Sequence, residues 1–142
     1  MTLPEVVGEL RAYMNEVPEA SYRVIIGTDS NHRGVDFVTA IVVHRVGKGG
    51  RYFWRRETKT KPFVLRTRIW EEALMSLHVA QALTAELGAE NHVVSKPTIH
   101  VDIGENGPTR AMIQEVVGMI RGNGFPVYIK PESYAASTVA DR

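Results

Sequence analysis

The stretch Val24-Ile25-Ile26-Gly27-Thr28-Asp29-Ser30 has the apolar character of a buried strand and ends in a carboxylate. A second stretch, Ile99-His100-Val101-Asp102-Ile103-Gly104, has the same form. An ionised aspartate at the end of a buried strand is costly unless positive charge meets it, and two neighbouring parallel strands can share one cation there. The two stretches therefore predict a pair of aspartates at one edge of a parallel sheet.

Around these stretches the chain alternates helical and strand patterns. A capping box at Thr2-Leu3-Pro4-Glu5 opens an amphipathic helix that ends before Pro18. The glycine-rich turn 47–50 joins two of the strands that follow. The predicted strands are Ser21–Asp29, Asp36–Val46, Arg51–Thr60, Thr98–Ile103 and Pro126–Lys130; the predicted helices after the first are Val64–Leu87, one that begins at Pro108, and one that begins at Glu132-Ser133.

Composition limits the kind of protein. With 142 residues, 44% of them apolar, the chain suits one compact domain. It has no run of 18 apolar residues and does not begin like a signal peptide, so we expect a soluble, cytoplasmic protein without a membrane partner. Because cysteine is absent, any metal must be bound by oxygen or imidazole ligands.

Positive charge is concentrated in one part of the chain. Nine of the 17 Lys and Arg residues lie between Arg45 and Arg68, where Glu57 is the only acid. Within this region aromatic and basic residues alternate, a composition that suits backbone phosphates and exposed bases, although a solvated amphipathic strand has the same pattern. The candidate nucleic-acid contacts in this run are Arg55, Arg56, Lys59 and Lys61.

The order of elements resembles the ribonuclease H-like fold. After a leading helix, three strands, a helix, a strand, a helix, a strand and a helix follow, and an aspartate closes the first and fourth strands. The resemblance implies an α/β fold with a mixed five-stranded sheet in the order 3-2-1-4-5, the first three strands antiparallel, flanked by helices. The whole chain, 1–142, would be one such domain, with residues 1–18 as a helical extension.

Four separated segments, 26–30, 41–50, 100–104 and 129–142, are similar to the YkuK-type family of predicted ribonuclease H-related nucleases. The resemblance implies a metal-binding and catalytic set formed by Asp29, Glu72, Asp102 and Asp141. Helical phase selects the same glutamate independently, because residues of a helix are about 100° apart. Glu72 then borders the apolar stripe of its helix, whereas Glu71 points to solvent.

Clustered carboxylates repel one another until protons or a divalent cation neutralise them, and a hard oxygen-rich cluster suits Mg²⁺ or Mn²⁺. Two ions, about 3.5 to 4 Å apart, would activate water and stabilise the leaving oxygen of a phosphodiester. Other interpretations stay open: both strand-end aspartates also suit turns, Glu105 could replace Asp141, and His100 could ligate a metal or lie in the interior. Ser30 and Asn31 could bind phosphate or form a turn.

These patterns favour a divalent-metal nuclease that cuts RNA, an RNA-DNA hybrid or structured DNA. The alternative is a non-catalytic nucleic-acid-binding module, which would be expected to lose at least one of the four acids. A third function, nucleotide binding, is suggested by Ile26-Gly27-Thr28-Asp29-Ser30, which faintly resembles the phosphate loops of actin-like nucleotide-binding proteins. A homodimer stays open, because the apolar stripe of the first helix could cover its own sheet or that of a partner.

Overall fold

Eight helices and strands make up the part of the chain that the structure describes. The structure, a computed structural model, describes residues 1–31, 34–87, 96–103 and 110–129. The elements are α1 (Leu3–Glu16), β1 (Tyr22–Ser30), β2 (Asp36–Arg45), β3 (Gly50–Thr58), α2 (Leu65–Leu87), β4 (Thr98–Val101), α3 (Ile113–Gly122) and β5 (Val127–Ile129), and a short 3₁₀ turn, Arg110–Met112, leads into α3.

The strands form one mixed sheet in the order β3-β2-β1-β4-β5, as predicted. β1, β2 and β3 pair antiparallel, and Gly47 and Gly49 adopt positive φ in the turn that joins β2 to β3. β4 pairs parallel with β1 on one side and with β5 on the other. Because β1 and β4 are parallel neighbours, their carboxyl ends meet at the same edge of the sheet.

Helix α1 packs on the chain's own sheet. The Thr2 side chain caps the backbone N–H of Glu5 and the Glu5 carboxylate accepts from the backbone N–H of Thr2, so the predicted capping box is present. Val6, Leu10 and Met14 are fully buried in the same core as the sheet and α2. The apolar stripe of this helix is therefore used within the chain.

The two faces of the sheet differ in character. One face is covered by the three described helices, and its alternate strand residues, such as Val24, Ile26 and Ile41, belong to the core. The other face, called the second face below, carries the intervening residues of each strand, and none of them belongs to that core. The residues of the second face are Arg23, Ile25, Gly27, Asp29, Asp36, Val38, Ala40, Val42, His44, Gly50, Tyr52, Trp54, Arg56, Thr58, Thr98, His100 and Tyr128.

Several boundaries differ from the predicted ones. β4 ends at Val101 rather than Ile103, because the chain leaves the sheet at the aspartate that follows. The described part of the third helix begins as the 3₁₀ turn at Arg110, and the predicted start at Pro108 lies outside the described residues. The predicted terminal helix also lies outside them. Within the described ranges, no helix combines the length and apolar character that a bilayer crossing requires.

Candidate metal and nucleic-acid site

Strand register brings Asp29 and Asp102 to the same edge of the sheet. In the parallel pair, Gly27 of β1 lies opposite His100 of β4. Asp29 follows Gly27 by two residues, and Asp102 follows His100 by two and comes directly after the last residue of β4, so both aspartates lie at the edge where these parallel strands end. Both side chains are exposed. The pairing that the sequence predicted between the two strand ends is therefore present in the backbone.

Glu72 approaches this edge from α2. Its side chain is only 6% exposed, and the Ser30 hydroxyl donates a hydrogen bond to its Oε2. Burial raises the pKa of the Glu72 carboxyl, the Ser30 hydrogen bond and the nearby Arg68 oppose this rise, and the charges of Asp29 and Asp102 add to it. Asp29 and Asp102 therefore each lie close enough to Glu72 to act on its carboxyl electrostatically.

The oxygen donors at this edge have the chemistry that Mg²⁺ or Mn²⁺ prefers, since a buried carboxyl lies within electrostatic reach of two more carboxylates. They are not yet gathered at ligand distance: among the residues that the structure describes, no three His, Cys, Asp or Glu side chains form a group that could hold a metal ion. The alternation of β1 gives the reason. Thr28 and Ser30 face α2, so Asp29 between them points to the second face, away from Glu72.

Beside the carboxylates runs a chain of buried hydroxyl groups, formed by Thr28, Thr39 and Ser76. The Thr28 Oγ1 lies 2.7 Å from Ser76 Oγ and 3.0 Å from Thr39 Oγ1. All three residues are buried, and their mutual hydrogen bonds offset the cost of removing them from water. This hydroxyl chain joins α2 to the two central antiparallel strands next to Glu72. Sequence reasoning missed it, although the polar pairs at Thr28/Ser30 and Glu72/Ser76 recur at strand and helix spacing.

The two candidate phosphate ligands after β1 are engaged in hydrogen bonds. Ser30 donates to Glu72, as described above. The Asn31 Oδ1 accepts from the backbone N–H groups of Val35 and Asp36 at 3.1 and 3.2 Å, which is the geometry of a turn stabilised by an asparagine side chain. Both residues thus organise the carboxylate edge and the loop that follows it.

The basic run lies on and after β3, the edge strand of the sheet, and is divided between its two sides. Arg55 shares a face with Phe53 of the core and lines a cavity of about 120 Å³ together with Glu57 and His78. Arg56 points to the second face, and its backbone pairs with Val38, which in turn pairs with Asp29. The alternation therefore places only Arg56 of this pair on the same face as Asp29.

The two lysines after β3 also differ. Lys59 Nζ lies 3.7 Å from Glu57 Oε2, so part of its charge is balanced locally, whereas Lys61 is exposed. His100 lies half-buried on the second face, and burial lowers the pKa of its imidazole. The candidate ligand Asp141 and its alternative Glu105 lie outside the described residues.

Comparisons with known proteins give a family match, a relative and a structural neighbour. The family model described as Ribonuclease H-like matches residues 5–142. The chain is 34% identical, over 155 residues that cover all of it and 90% of the relative, to the "Uncharacterized protein YkuK" of Bacillus subtilis (strain 168). A crystal structure of the catalytic domain of human Endonuclease V aligns with a TM-score of 0.44 and 15% identity, over 82% of this chain and 53% of that chain, so this chain spans about half its length. By the family match and the relative, the chain belongs to the ribonuclease H-like family.

Proposed function

We propose that this chain is a divalent-metal-dependent nuclease that hydrolyses phosphodiester bonds in RNA, an RNA-DNA hybrid or structured DNA. The observation that carries the proposal is the buried Glu72 carboxyl, whose pKa is raised by its burial and by the charges of Asp29 and Asp102. Folding alone gives no reason to bury an acid beside two others, because each raises the cost of ionising the next. Family membership adds support for this assignment.

In this proposal each residue at the edge has a defined task. Asp29, Glu72 and Asp102 hold Mg²⁺ or Mn²⁺, two ions in the full site, with Asp141 as a fourth ligand or Glu105 in its place. Ser30 keeps the Glu72 carboxyl turned toward the edge. When bound, the cations supply an activated water and neutralise the charge that develops on the leaving oxygen. Since Asp29 and Glu72 approach from opposite sides of β1, cation binding requires the carboxylates to move closer together.

The test is an assay of the pure protein with Mg²⁺ or Mn²⁺ against labelled single strands, duplexes and hybrids. Asp29→Asn and Asp102→Asn are expected to abolish both cleavage and divalent-ion binding, measured by calorimetry. Glu19→Gln, an exposed acid that precedes β1, serves as the control and should retain both. Full cleavage by both aspartate variants would contradict the proposed site.

The alternative is a non-catalytic nucleic-acid-binding module that keeps the fold. It predicts binding of nucleic acid by the parent chain without cleavage under any metal condition. In that case Asp29→Asn should strengthen binding rather than weaken it, because a negative charge facing phosphate is removed. The two functions therefore differ in cleavage by the parent chain, which the nuclease shows with Mg²⁺ or Mn²⁺ and the binding module shows under no metal condition.

A further inference from the structure

A row of five residues crosses the second face from one edge of the sheet to the other. The strand pairings align Trp54 of β3, Ala40 of β2, Gly27 of β1, His100 of β4 and Tyr128 of β5. Aromatic rings stand at both ends, and the two smallest residue types lie between them. Because neighbouring strands are about 4.8 Å apart, the floor between the β3 and β4 side chains is about 14 Å wide. We call this row the aromatic trough.

The aromatic walls of the trough are exposed to an extent that packing does not explain. Trp54 is 55% exposed and Tyr128 50% exposed, and Tyr52, one step along β3 on the same face, is 71% exposed. The His100 and Tyr128 rings meet edge to face with centroids 5.4 Å apart, so one wall is held in place by its own contact. Large exposed aromatic groups that share one surface are typical of binding sites.

The trough leads toward the carboxylate edge. One step along the strands, the next row contains Arg56, Val38 and Asp29. Two residues of a strand advance by about 6.8 Å, a length that one extended nucleotide can span. The row next to the aromatic trough thus contains Arg56, whose charge suits a backbone phosphate, and the candidate metal ligand Asp29. On the side of the trough away from this edge, the second face carries a further cation at Arg23, opposite His44.

We propose that the aromatic trough binds the bases of a single-stranded nucleic acid, stacked on Trp54 and on the His100–Tyr128 pair, with a phosphate at Arg56. Aromatic side chains stack on any base whose face is free, whereas the bases of a duplex already stack on one another. The positive charge of Arg56 and Arg23 complements the backbone of such a strand. The path toward Asp29 rests on the proposed function, which this inference narrows to substrates with unpaired bases.

Binding is measured by fluorescence anisotropy of a labelled oligothymidylate and of a duplex of equal length, in chelator so that no cleavage occurs. Trp54→Ala should weaken single-strand binding by about tenfold or more and leave duplex binding nearly unchanged. The slope of affinity against salt should stay the same, since stacking releases no counterions. Val64→Ala, an exposed apolar residue next to α2, is the matched control and should bind as the parent does.

The floor of the trough provides a second, independent variant. A Cβ added at Gly27 would meet only the His100 carbonyl oxygen at 3.6 Å and the His100 Cβ at 3.8 Å, which are ordinary contacts. Gly27→Ala should therefore fold normally. Ala40→Leu fills the floor of the trough and should weaken single-strand binding as Trp54→Ala does. The chain has two tryptophans, so Trp70→Phe leaves Trp54 as the sole reporter, and its fluorescence should be quenched by the oligonucleotide.

Unchanged single-strand affinity in Trp54→Ala, or no quenching of Trp54, would overturn the inference. So would a Trp54→Ala variant that binds normally but unfolds at lower denaturant or sediments as a smaller species, since the face would then be covered by the chain itself or by a second copy. Failure of the proposed function looks different: a protein that binds single strands through Trp54 yet cuts nothing refutes the nuclease and keeps the trough.

Discussion

The Ser30 hydroxyl donates its hydrogen bond to the Glu72 carboxylate across the interface between β1 and α2. This contact stabilises the ionised form of an acid whose burial favours the neutral form. Glu72 is therefore held between two opposing influences, and its protonation should respond to small changes nearby. The first two predictions use that sensitivity.

The pKa of Glu72 should fall in Asp29→Asn, because the Asp29 charge is one of the causes that raise it. It should rise in Ser30→Ala, which removes the hydrogen bond that favours the ionised carboxylate. Carbon-detected NMR titration of the side-chain carboxyl measures both. Glu19→Gln is the control and should leave the titration of Glu72 unchanged; shifts of the opposite sign in the two test variants would contradict the described contacts.

Glu72 should also make stability depend on pH. Its pKa in the folded chain lies above the ordinary value of 4.5, so the folded state binds more protons than the unfolded state between these two values. Stability due to this group falls as pH rises through that window and stays lowered above it. Glu72→Gln should therefore be more stable than the parent at pH near 7 and equally stable near pH 4, by denaturant unfolding. Glu71→Gln should follow the parent at both.

Cleavage should distinguish the same two neighbours. Glu72→Gln is expected to lower the rate of metal-dependent cleavage by about a hundredfold, as loss of a group that positions a metal typically does. Glu71→Gln should be nearly silent, since Glu71 lies about 100° around the helix from Glu72. Single-turnover rates with Mg²⁺ provide the measurement. Loss of activity in Glu71→Gln but not in Glu72→Gln would show that Glu71 rather than Glu72 belongs to the site.

The basic residues of β3 should not contribute equally to phosphate binding. Arg56→Ala should reduce the slope of log affinity against log salt on duplex DNA by about 0.9, the value for one lost phosphate contact. Arg55→Ala should leave the slope nearly unchanged, because Arg55 lies on the helix side of β3 beside Glu57 and His78. The combined alanine variant of Arg55, Arg56, Lys59 and Lys61 should reduce the slope by less than the loss of four phosphate contacts would. Equal slopes in the two single variants would place both arginines against the same partner.

The hydroxyl chain predicts a non-additive effect on stability. Thr28→Val leaves the buried hydroxyls of Thr39 and Ser76 without their shared partner and should lower the free energy of unfolding by about 1 to 3 kcal/mol. Replacing all three, as Thr28→Val, Thr39→Val and Ser76→Ala together, should recover much of that loss because no buried hydroxyl remains unsatisfied. Denaturant unfolding measures both. The explanation would be refuted if the triple variant lost more unfolding free energy than the three single variants lose in sum.

The strand order, the strand-end aspartates and the phase of α2 could be predicted from the sequence. The helical spacing of Ile69, Ala73 and Leu77 predicts that they share the buried side of α2, and all three are buried. The bond between Ser30 and Glu72 could not be predicted, because periodicity gives the rotation of a helix but not its position along a strand. The separation of Asp29 from Glu72 escaped prediction for a related reason: adjacency at a sheet edge does not determine which face each carboxylate approaches.

The matched pairs Thr28/Ser76 and Ser30/Glu72 also limit how this chain can change in length. Along β1, Ser30 lies about 6.8 Å beyond Thr28, and along α2, Ser76 lies about 6.0 Å beyond Glu72. Because these two distances are similar and β1 and α2 run in opposite directions, both hydrogen-bonded pairs can form at once. Inserting or deleting one residue between Glu72 and Ser76 would rotate one of them by about 100° and break a pair. Substitutions on the exposed side of α2 are free to accumulate, whereas the interval between these two residues must stay constant for the carboxyl to reach the sheet edge.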